Sequence, residues 1–77
     1  MRVQVFAALK DFFDKEFEAD KNITTVVELR NALVLQKPEA EKILGACRFA
    51  IDDEFVDMNH KLKIHDIITI IPPSSGG

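Results

Sequence analysis

The sequence predicts an α+β domain in which one mixed β-sheet packs against one main helix. Polar and apolar residues alternate near both ends of the chain, which is typical of strands, and a central segment has the apolar spacing of a helix. Two predicted strands precede this helix and three follow it, an order that indicates an α+β roll. The chain has 77 residues, which is room for one domain.

The first strand is predicted at residues 2–7, where polar and apolar residues alternate. The polar stretch at residues 10–15 is either a short helical turn or a wide loop, and residues 17–19 form a short second strand. Along the first strand, the alternation places on one face Val3, Val5 and Ala7.

The main helix is predicted at residues 26–35. Thr25 and Glu28 have the spacing of a capping box, in which backbone N–H groups at a helix start are satisfied reciprocally. One apolar stripe follows from the helical spacing of Val26, Leu29 and Leu33. Pro38 begins a second helical segment, since proline suits the first turn of a helix, and Gly45 ends that segment.

Three strand-like segments and their connections occupy the rest of the chain. They are a strand at 47–51, a turn at Asp52-Asp53, a short strand at 54–57, an irregular connection at 58–65 and a last strand at 66–71. The last strand ends at Pro72 and Pro73, because proline has no N–H to donate to a neighbouring strand.

The alternation along the strands predicts which side chains face the helix and which face away. The helix side contains Val3, Val5, Phe49, Ile51, Val56, Ile68 and Ile70. The opposite, open face contains the polar residues Gln4, Arg48, Asp57 and Thr69 and the apolar residues Phe6, Ala50, Phe55, Ile67 and Ile71. Exposed apolar groups on a polar face indicate a partner site, the alternative being scattered surface residues or residues covered by loops.

The composition argues against several classes of function. The formal net charge of −3 disfavours nucleic-acid binding, which depends on a basic surface. No apolar run reaches the ~18 residues of a membrane helix, so no membrane association is expected. The single cysteine, Cys47, excludes an internal disulfide and fits a reducing cytoplasm.

The sequence contains no conventional catalytic or metal-binding pattern. His60 and His65 lie in the irregular connection and are interpreted as solvated loop residues, because a metal site needs more ligands. Cys47 lies on the predicted buried face beside Phe49, so it is interpreted as a small core residue and not as a reactive thiol. Neither a metal nor a bound cofactor is expected.

The end of the chain is where the sequence indicates chemistry. Residues 1–73 are predicted to form the folded domain, and residues 74–77, Ser-Ser-Gly-Gly, a flexible tail. Glycine allows a backbone to enter a slot too narrow for side chains. The Gly77 carboxylate, ionised at neutral pH, could attack the α-phosphate of ATP, and a sulfur donor could then displace AMP to leave a thiocarboxylate. The alternatives are a frayed terminus or a remnant of cloning.

Six segments of the chain together form a recognisable pattern. They are Val3–Ala7, Thr25–Leu33, Phe55–Asp57, Lys61–Lys63, Asp66–Ile71 and Pro72–Gly77. In these segments the chain resembles the small subunit of molybdopterin synthase, the MoaD-type sulfur carrier of the ubiquitin-like MoaD/ThiS family. The double proline before Gly-Gly is the most specific part of the pattern. The resemblance spans nearly the whole chain and implies the β-grasp, ubiquitin-like fold.

The resemblance implies that Gly77 is the reactive residue and that a partner receives the tail residues Pro72, Pro73, Ser74, Ser75 and Gly76. A MoeB-type adenylating enzyme would use ATP to activate Gly77, and a sulfurtransferase would supply sulfur. The tail would then enter a MoaE-type large subunit and donate sulfur to cyclic pyranopterin monophosphate. Two small and two large subunits would form a heterotetramer, with the catalytic groups on the large subunit.

The resemblance also implies where the large subunit docks. Phe6, Phe55 and Ile71 match docking positions of the family, and Ile67 is assigned to the same surface because it shares their face. Two positions depart from the family pattern: His65 stands where glycine is common, and Ile67 where a charged residue is frequent. The turn at His65 must therefore tolerate a left-handed residue or differ, and the open face is unusually apolar.

Two other functions fit the same chain end. A ThiS-type carrier would donate sulfur in thiamin thiazole synthesis, although such chains are typically shorter and usually lack the double proline. A ubiquitin-like modifier would join its terminal glycine to a lysine. The acceptor distinguishes the three: a pterin, a thiazole intermediate or a protein amine.

Overall fold

Five strands and two α-helices make up residues 1–73, the part of the chain that the structure, a computed structural model, describes. The strands are β1 (Arg2–Val5), β2 (Glu16–Glu18), β3 (Arg48–Ile51), β4 (Glu54–Val56) and β5 (Ile67–Ile71). The helices are α1 (Val26–Gln36) and α2 (Glu41–Ala46), and the two 3-10 segments are Ala7–Asp11 and Pro38–Ala40. The predicted architecture of a mixed sheet packed on one main helix is confirmed.

The last strand lies at the centre of the sheet, whose order is β2-β1-β5-β3-β4. β5 pairs parallel with β1, where Val5 lies opposite Ile70, and antiparallel with β3, where Phe49 lies opposite Ile70. Both edges of the sheet are three-residue strands, β2 and β4. The sheet is therefore mixed, as its element order predicts.

The core lies between the sheet and α1, and the predicted parity of the strands is confirmed except at Ala7 and Ala50, which are described below. Fully or almost fully buried side chains include Val3, Val5, Phe49, Ile68 and Ile70 from the sheet and Val26, Leu29, Leu33 and Leu44 from the helices. Val56 has the predicted parity but is only half-buried, because its strand β4 is an edge strand.

The start of α1 is capped by two side chains in a variant of the predicted capping box. The Thr25 hydroxyl accepts a hydrogen bond from the Glu28 N–H at 3.2 Å. The Glu28 carboxylate accepts the N–H of Thr24 at 2.8 Å and the Thr24 hydroxyl at 2.9 Å. The hydrogen bonds from Thr24 are the main cause that lowers the pKa of Glu28.

The first strand is shorter than predicted, because the chain turns sharply at Ala7. β1 ends at Val5, and Ala7 has a φ of 54°, in the left-handed region that residues other than glycine rarely adopt. Ala7 is exposed and does not extend the buried face, which corrects its predicted position. The 3-10 turn that follows instead brings the larger side chain of Leu9 into the core, where it is fully buried.

The second helical segment begins at Pro38, as predicted, but Gly45 does not end it. α2 continues through Gly45 to Ala46, and Cys47 caps it with an N–H that donates to the Leu44 carbonyl. Cys47 is already extended, with φ −75° and ψ 155°, because it leads directly into β3. The entry into the sheet therefore ends the helix, and no left-handed glycine is needed. The other predicted strand ends differ from the structure by one residue.

The predicted turn between β3 and β4 is confirmed, and it is a two-residue hairpin loop. Asp52 and Asp53 have φ values of 52° and 66°, so both adopt the left-handed conformation. Ile51 and Glu54 on either side of them are paired across the hairpin. Two left-handed residues in a two-residue loop match the twist of the strands, and the second position favours glycine.

Replacing Asp53 with glycine should stabilise the fold, because glycine adopts a φ of 66° without steric cost. We expect the free energy of unfolding to rise by about 0.5–1 kcal/mol. In a domain of this size, 1 kcal/mol raises the melting temperature by about 4–8 °C. Thermal unfolding followed by circular dichroism measures the shift.

The matched control is Asp14→Gly. Asp14 is an exposed acidic loop residue without a positive φ, so glycine there should leave stability unchanged or lower it. An equal gain in both variants would contradict the strained turn as the cause.

Candidate functional site

The candidate site is the open face, the side of the sheet that faces away from α1. Along β5 it contains Ile67, Thr69 and Ile71, because alternate residues of a strand point to the same side. The strand register places further side chains on this face, namely Arg2, Gln4, Arg48, Ala50 and Phe55. No helix covers this face within residues 1–73, since α1 packs on the other side.

Large apolar side chains are exposed on the open face, as predicted. Phe6, Phe55 and Ile67 have 47%, 56% and 50% of their surface exposed, and Ile71 is half-buried. We call these four residues the apolar patch. Ala50 is an exception to the prediction: it has the parity of the open face but is only 7% exposed, because Phe55 and Thr69 flank it on the neighbouring strands.

Part of the apolar patch lies at the end of β5 from which the tail departs, whereas Ile67 lies at the other end of β5, opposite Arg2. Ile71, the last residue of β5, lies opposite Arg48 of β3. Phe6 continues the extended backbone of β1 one residue past the Val5–Ile70 pair, so it lies beside Ile71. The patch therefore extends from Phe6 across Ile71 to the edge strand that carries Phe55.

Arg48 joins this patch, which the sequence pattern alone did not indicate. Its guanidinium carbon lies 4.0 Å from the centroid of the Phe55 ring, in cation–π geometry. The sequence offered only one signal for this contact: Arg48 has the same parity as Ala50, which lies opposite Phe55. A long side chain at Arg48 can therefore reach the ring diagonally across two strands.

The other side of the open face is polar and internally paired. The Arg2 guanidinium lies 3.1 Å from the Glu16 carboxylate and 3.7 Å from that of Glu18. The Gln4 amide donates to Glu16 at 2.8 Å. These polar side chains therefore form ion pairs and hydrogen bonds with one another along β1 and β2. The side chains of the open face that have no such partner belong to the apolar patch or lie beside it.

The two prolines end β5, as predicted: the strand stops at Ile71, Pro72 is half-buried and Pro73 is exposed. The remaining residues assigned to the tail, Ser74, Ser75, Gly76 and Gly77, lie outside the described residues. Their assigned roles, and the division into a domain at 1–73 and a tail at 74–77, stay predictions.

Cys47 is a buried thiol, as its parity predicts. It is 9% exposed, and its Sγ lies 3.0 Å from the Ile43 carbonyl, to which it donates. Burial raises the pKa of the Cys47 thiol to about 11. At neutral pH the thiol is therefore protonated, which leaves it a weak nucleophile.

The connection before β5 shows how the chain accommodates His65. The Asp66 N–H donates to the Lys63 carbonyl at 3.0 Å, and the Asp66 carboxylate accepts the Lys63 N–H at 2.7 Å. His65 is not among the residues with a positive φ, so the turn differs and needs no left-handed residue at this position. Both His60 and His65 are exposed.

Residues 1–73 contain no group of three or more His, Cys, Asp or Glu side chains placed to hold a metal ion. None of their helices is both long and apolar enough to cross a lipid bilayer.

Comparison with known proteins adds a family and two structural neighbours. The ThiS family profile matches residues 3–77. A chain from the protein-protein complex of subunits 1 and 2 of the molybdopterin-converting factor of Helicobacter pylori 26695 superposes with a TM-score of 0.70 and is 32% identical. The alignment covers 99% of this chain and 96% of that one.

The second neighbour shows the shared fold alone. SAMP1 from Haloferax volcanii superposes with a TM-score of 0.72 at 21% identity, over 99% of this chain and 97% of SAMP1. No curated protein sequence matches the chain significantly.

Cys47 should react very slowly with thiol reagents in the folded protein. Raising its pKa from 9.0 to about 11 lowers the thiolate fraction at neutral pH by about a hundredfold, and burial further limits access. The rate of reaction with an aromatic disulfide, compared before and after unfolding in urea, measures this protection. Equal rates in the folded and unfolded chain would show that Cys47 is accessible and reactive.

Proposed function

Because the chain belongs to the ThiS family, as a sulfur carrier of the ThiS/MoaD type with the ubiquitin-like β-grasp fold, we propose that it is the small subunit of a molybdopterin synthase. One observation carries the choice of pathway. The Helicobacter pylori neighbour, 32% identical over 99% of this chain, is described in complex with subunit 2 of a molybdopterin-converting factor.

The proposed chemistry takes place at the Gly77 carboxylate. The carboxylate attacks the α-phosphate of ATP, pyrophosphate leaves, and an acyl-adenylate forms on an adenylating enzyme of the MoeB type. The terminal sulfur of a persulfide donor then displaces AMP to form an acyl disulfide. A second thiol of the donor attacks the S–S bond of this intermediate, which releases the thiocarboxylate at Gly77 and leaves a disulfide on the donor. ATP is a substrate of the activating partner, and this chain binds no cofactor of its own.

Two features of the chain suit a carboxylate that must enter a partner's active site. The tail continues from Ile71 in the centre of the sheet, so the folded domain can remain on the partner's surface while the end of the chain reaches inward. Gly76 and Gly77 have no side chains to obstruct a narrow passage. The domain thus supplies the docking surface, and the tail supplies the reactive group.

Transfer then requires the large subunit, on which we place the catalytic groups. Cyclic pyranopterin monophosphate receives two sulfur atoms to become molybdopterin, so two carriers are consumed in turn. The assembly that we propose contains two small and two large subunits. This chain is in that case a co-substrate and not itself the catalyst, and we place the reaction in the cytoplasm.

The apolar patch is the surface that we assign to the large subunit. Phe6, Phe55 and Ile67 are each about half exposed and share one face of the sheet, and exposed apolar side chains that are grouped on one face indicate a partner site. Ile71 lies at the base of the tail, so a partner that covers the patch also holds the tail at its entrance.

A ThiS-type carrier for thiamin thiazole synthesis is the second candidate, because the matching family profile bears that name. Its chemistry at Gly77 would be the same, and only the acceptor would differ. A protein modifier has weaker support, since the SAMP1 likeness concerns the fold alone.

Thiocarboxylation should depend on Gly77 and not on Cys47. Incubation with ATP, the adenylating enzyme and a sulfur source should exchange one oxygen for one sulfur in wild type and in Cys47→Ala. Deleting Gly77 moves the carboxylate by about 3.5 Å. A shift of even 1 Å can cost about a hundredfold in rate. We therefore expect no mass change in the deletion variant.

Intact-mass spectrometry with C-terminal peptide mapping measures this exchange, and Gly76→Val tests the need for a slim tail. This bulkier variant should fold normally but be activated poorly. If Cys47→Ala lost the sulfur while the Gly77 deletion kept it, the thiol would be the carrier site and the proposal would be wrong.

Replacing Phe55 with alanine should weaken binding to the large subunit by about 1–3 kcal/mol, the usual range for a buried interface anchor. The melting temperature should change little, because Phe55 is 56% exposed. Isothermal calorimetry with the large subunit of the same organism measures the affinity.

Leu35→Ala is the matched control, since Leu35 is 83% exposed but lies on α1, on the other side of the sheet. Equal losses of affinity in both variants would contradict docking through the open face. A large drop in the melting temperature of Phe55→Ala would place Phe55 in the core instead.

A further inference from the structure

Arg48 is the cation in the middle of the apolar patch. It is the first residue of β3, lies opposite Ile71 and extends its guanidinium over the Phe55 ring at 4.0 Å. It is exposed, as is the ring that it covers. A charge therefore lies between two residues of the surface that we assign to the large subunit.

Arg48 has no anionic partner in the described part of the chain. Within residues 1–73 the ion pairs are those of Arg2 with Glu16 and Glu18, and no side-chain hydrogen bond involves Arg48. The two arginines of the open face thus differ in whether a carboxylate of the same chain pairs with them. Arg2 is already neutralised within the fold, whereas the guanidinium of Arg48 depends on water and on one aromatic ring.

Covering the apolar patch would remove that water. Burying an ionised group without a partner is strongly unfavourable. A surface that covers Phe55 and Ile71 must therefore either leave Arg48 solvated or supply a hydrogen-bond acceptor to it. The Phe55 ring occupies one face of the planar guanidinium and leaves its edge N–H groups free. A carboxylate fits those groups best, because its two oxygens match the fork of an arginine.

We propose that Arg48 is the charge-recognition residue of the docking surface and that the large subunit presents an aspartate or glutamate to it within an otherwise apolar contact. This inference rests on the proposed function and deepens it by naming the chemistry of the partner surface. Phe55 orients the guanidinium, so the two side chains act as one unit. Because Arg48 lies opposite Ile71, the ion pair would also fix the base of the tail relative to the partner.

The test uses the full chain and the large subunit of the same organism, identified by its similarity to subunit 2 of the Helicobacter pylori factor. The dissociation constant is measured for wild type, Arg48→Gln, Arg48→Lys and Arg48→Glu at low and high salt. A hydrogen bond to a charged group contributes enough for Arg48→Gln to bind about 10- to 100-fold more weakly. Its affinity should also depend less on salt than that of wild type.

The other two variants separate charge from packing. Arg48→Lys keeps the charge but loses the fork, so its affinity should lie between those of wild type and Arg48→Gln. Arg48→Glu should bind more weakly than Arg48→Gln, because two carboxylates would then face each other.

Arg2→Gln is the matched control, since it removes the same charge from the same face at a site that is already paired. Its affinity should stay within about twofold of wild type, because exposed ion pairs contribute little. Melting temperatures of all variants show whether each one is folded.

Three results would overturn the inference. Arg48→Gln could bind as tightly as wild type at both salt concentrations. Arg2→Gln could lose as much affinity as Arg48→Gln, which would make the effect one of net charge. All three Arg48 variants could weaken binding equally with an unchanged salt dependence. That result would show that Arg48 contributes only by packing against Phe55 and not through its charge. If wild type itself fails to bind the large subunit, the proposed function fails first.

Discussion

The position of β5 at the centre of the sheet is the constraint on which the rest of the structure depends. Ile68 and Ile70 are fully buried against the helix side, while Ile67 and Ile71 emerge on the open face. A slip of one residue in its pairing with β1 and β3 would exchange these two sets. The two buried isoleucines therefore determine at once the core, the apolar patch and the point from which the tail leaves.

This arrangement separates the tasks of a carrier. The side chains of β1 and β2 on the open face pair with one another, so that region needs no partner. Among the described residues Arg48 contacts the Phe55 ring but has no ion pair, and it lies opposite Ile71, the last residue of the strand that leads to the tail. In the function that we propose, the reactive group is a chain end that partners enclose, so the carrier needs no enclosed active site of its own. The burial of Cys47 removes the competing nucleophile.

Much of this could be predicted from the sequence, because it depends on local periodicity. Alternation predicts the buried and open faces of the strands, and an Asp-Asp pair between two strands predicts the hairpin. The left-handed Ala7 has no such signal, since alanine disfavours that conformation and only the burial of Leu9 accounts for it. The prediction that Gly45 ends the second helical segment was wrong. α2 ends where Cys47 leads into β3, and this depends on tertiary structure and not on the local sequence.

The contact of Arg48 with Phe55 was missed for a similar reason: a diagonal contact across two strands depends on register, which periodicity does not determine. The roles of the tail residues came from their chemistry and from the family resemblance, and they stay predictions.

Sulfur transfer itself tests the central claim most directly. Purified chain carrying the Gly77 thiocarboxylate would be mixed with the large subunit and cyclic pyranopterin monophosphate, without ATP or a sulfur donor, and both products would be quantified by mass spectrometry. Our account predicts one molybdopterin for every two carriers that return to the carboxylate form. Retention of the thiocarboxylate without formation of a dithiolene, in the presence of a large subunit that binds the chain, would contradict it.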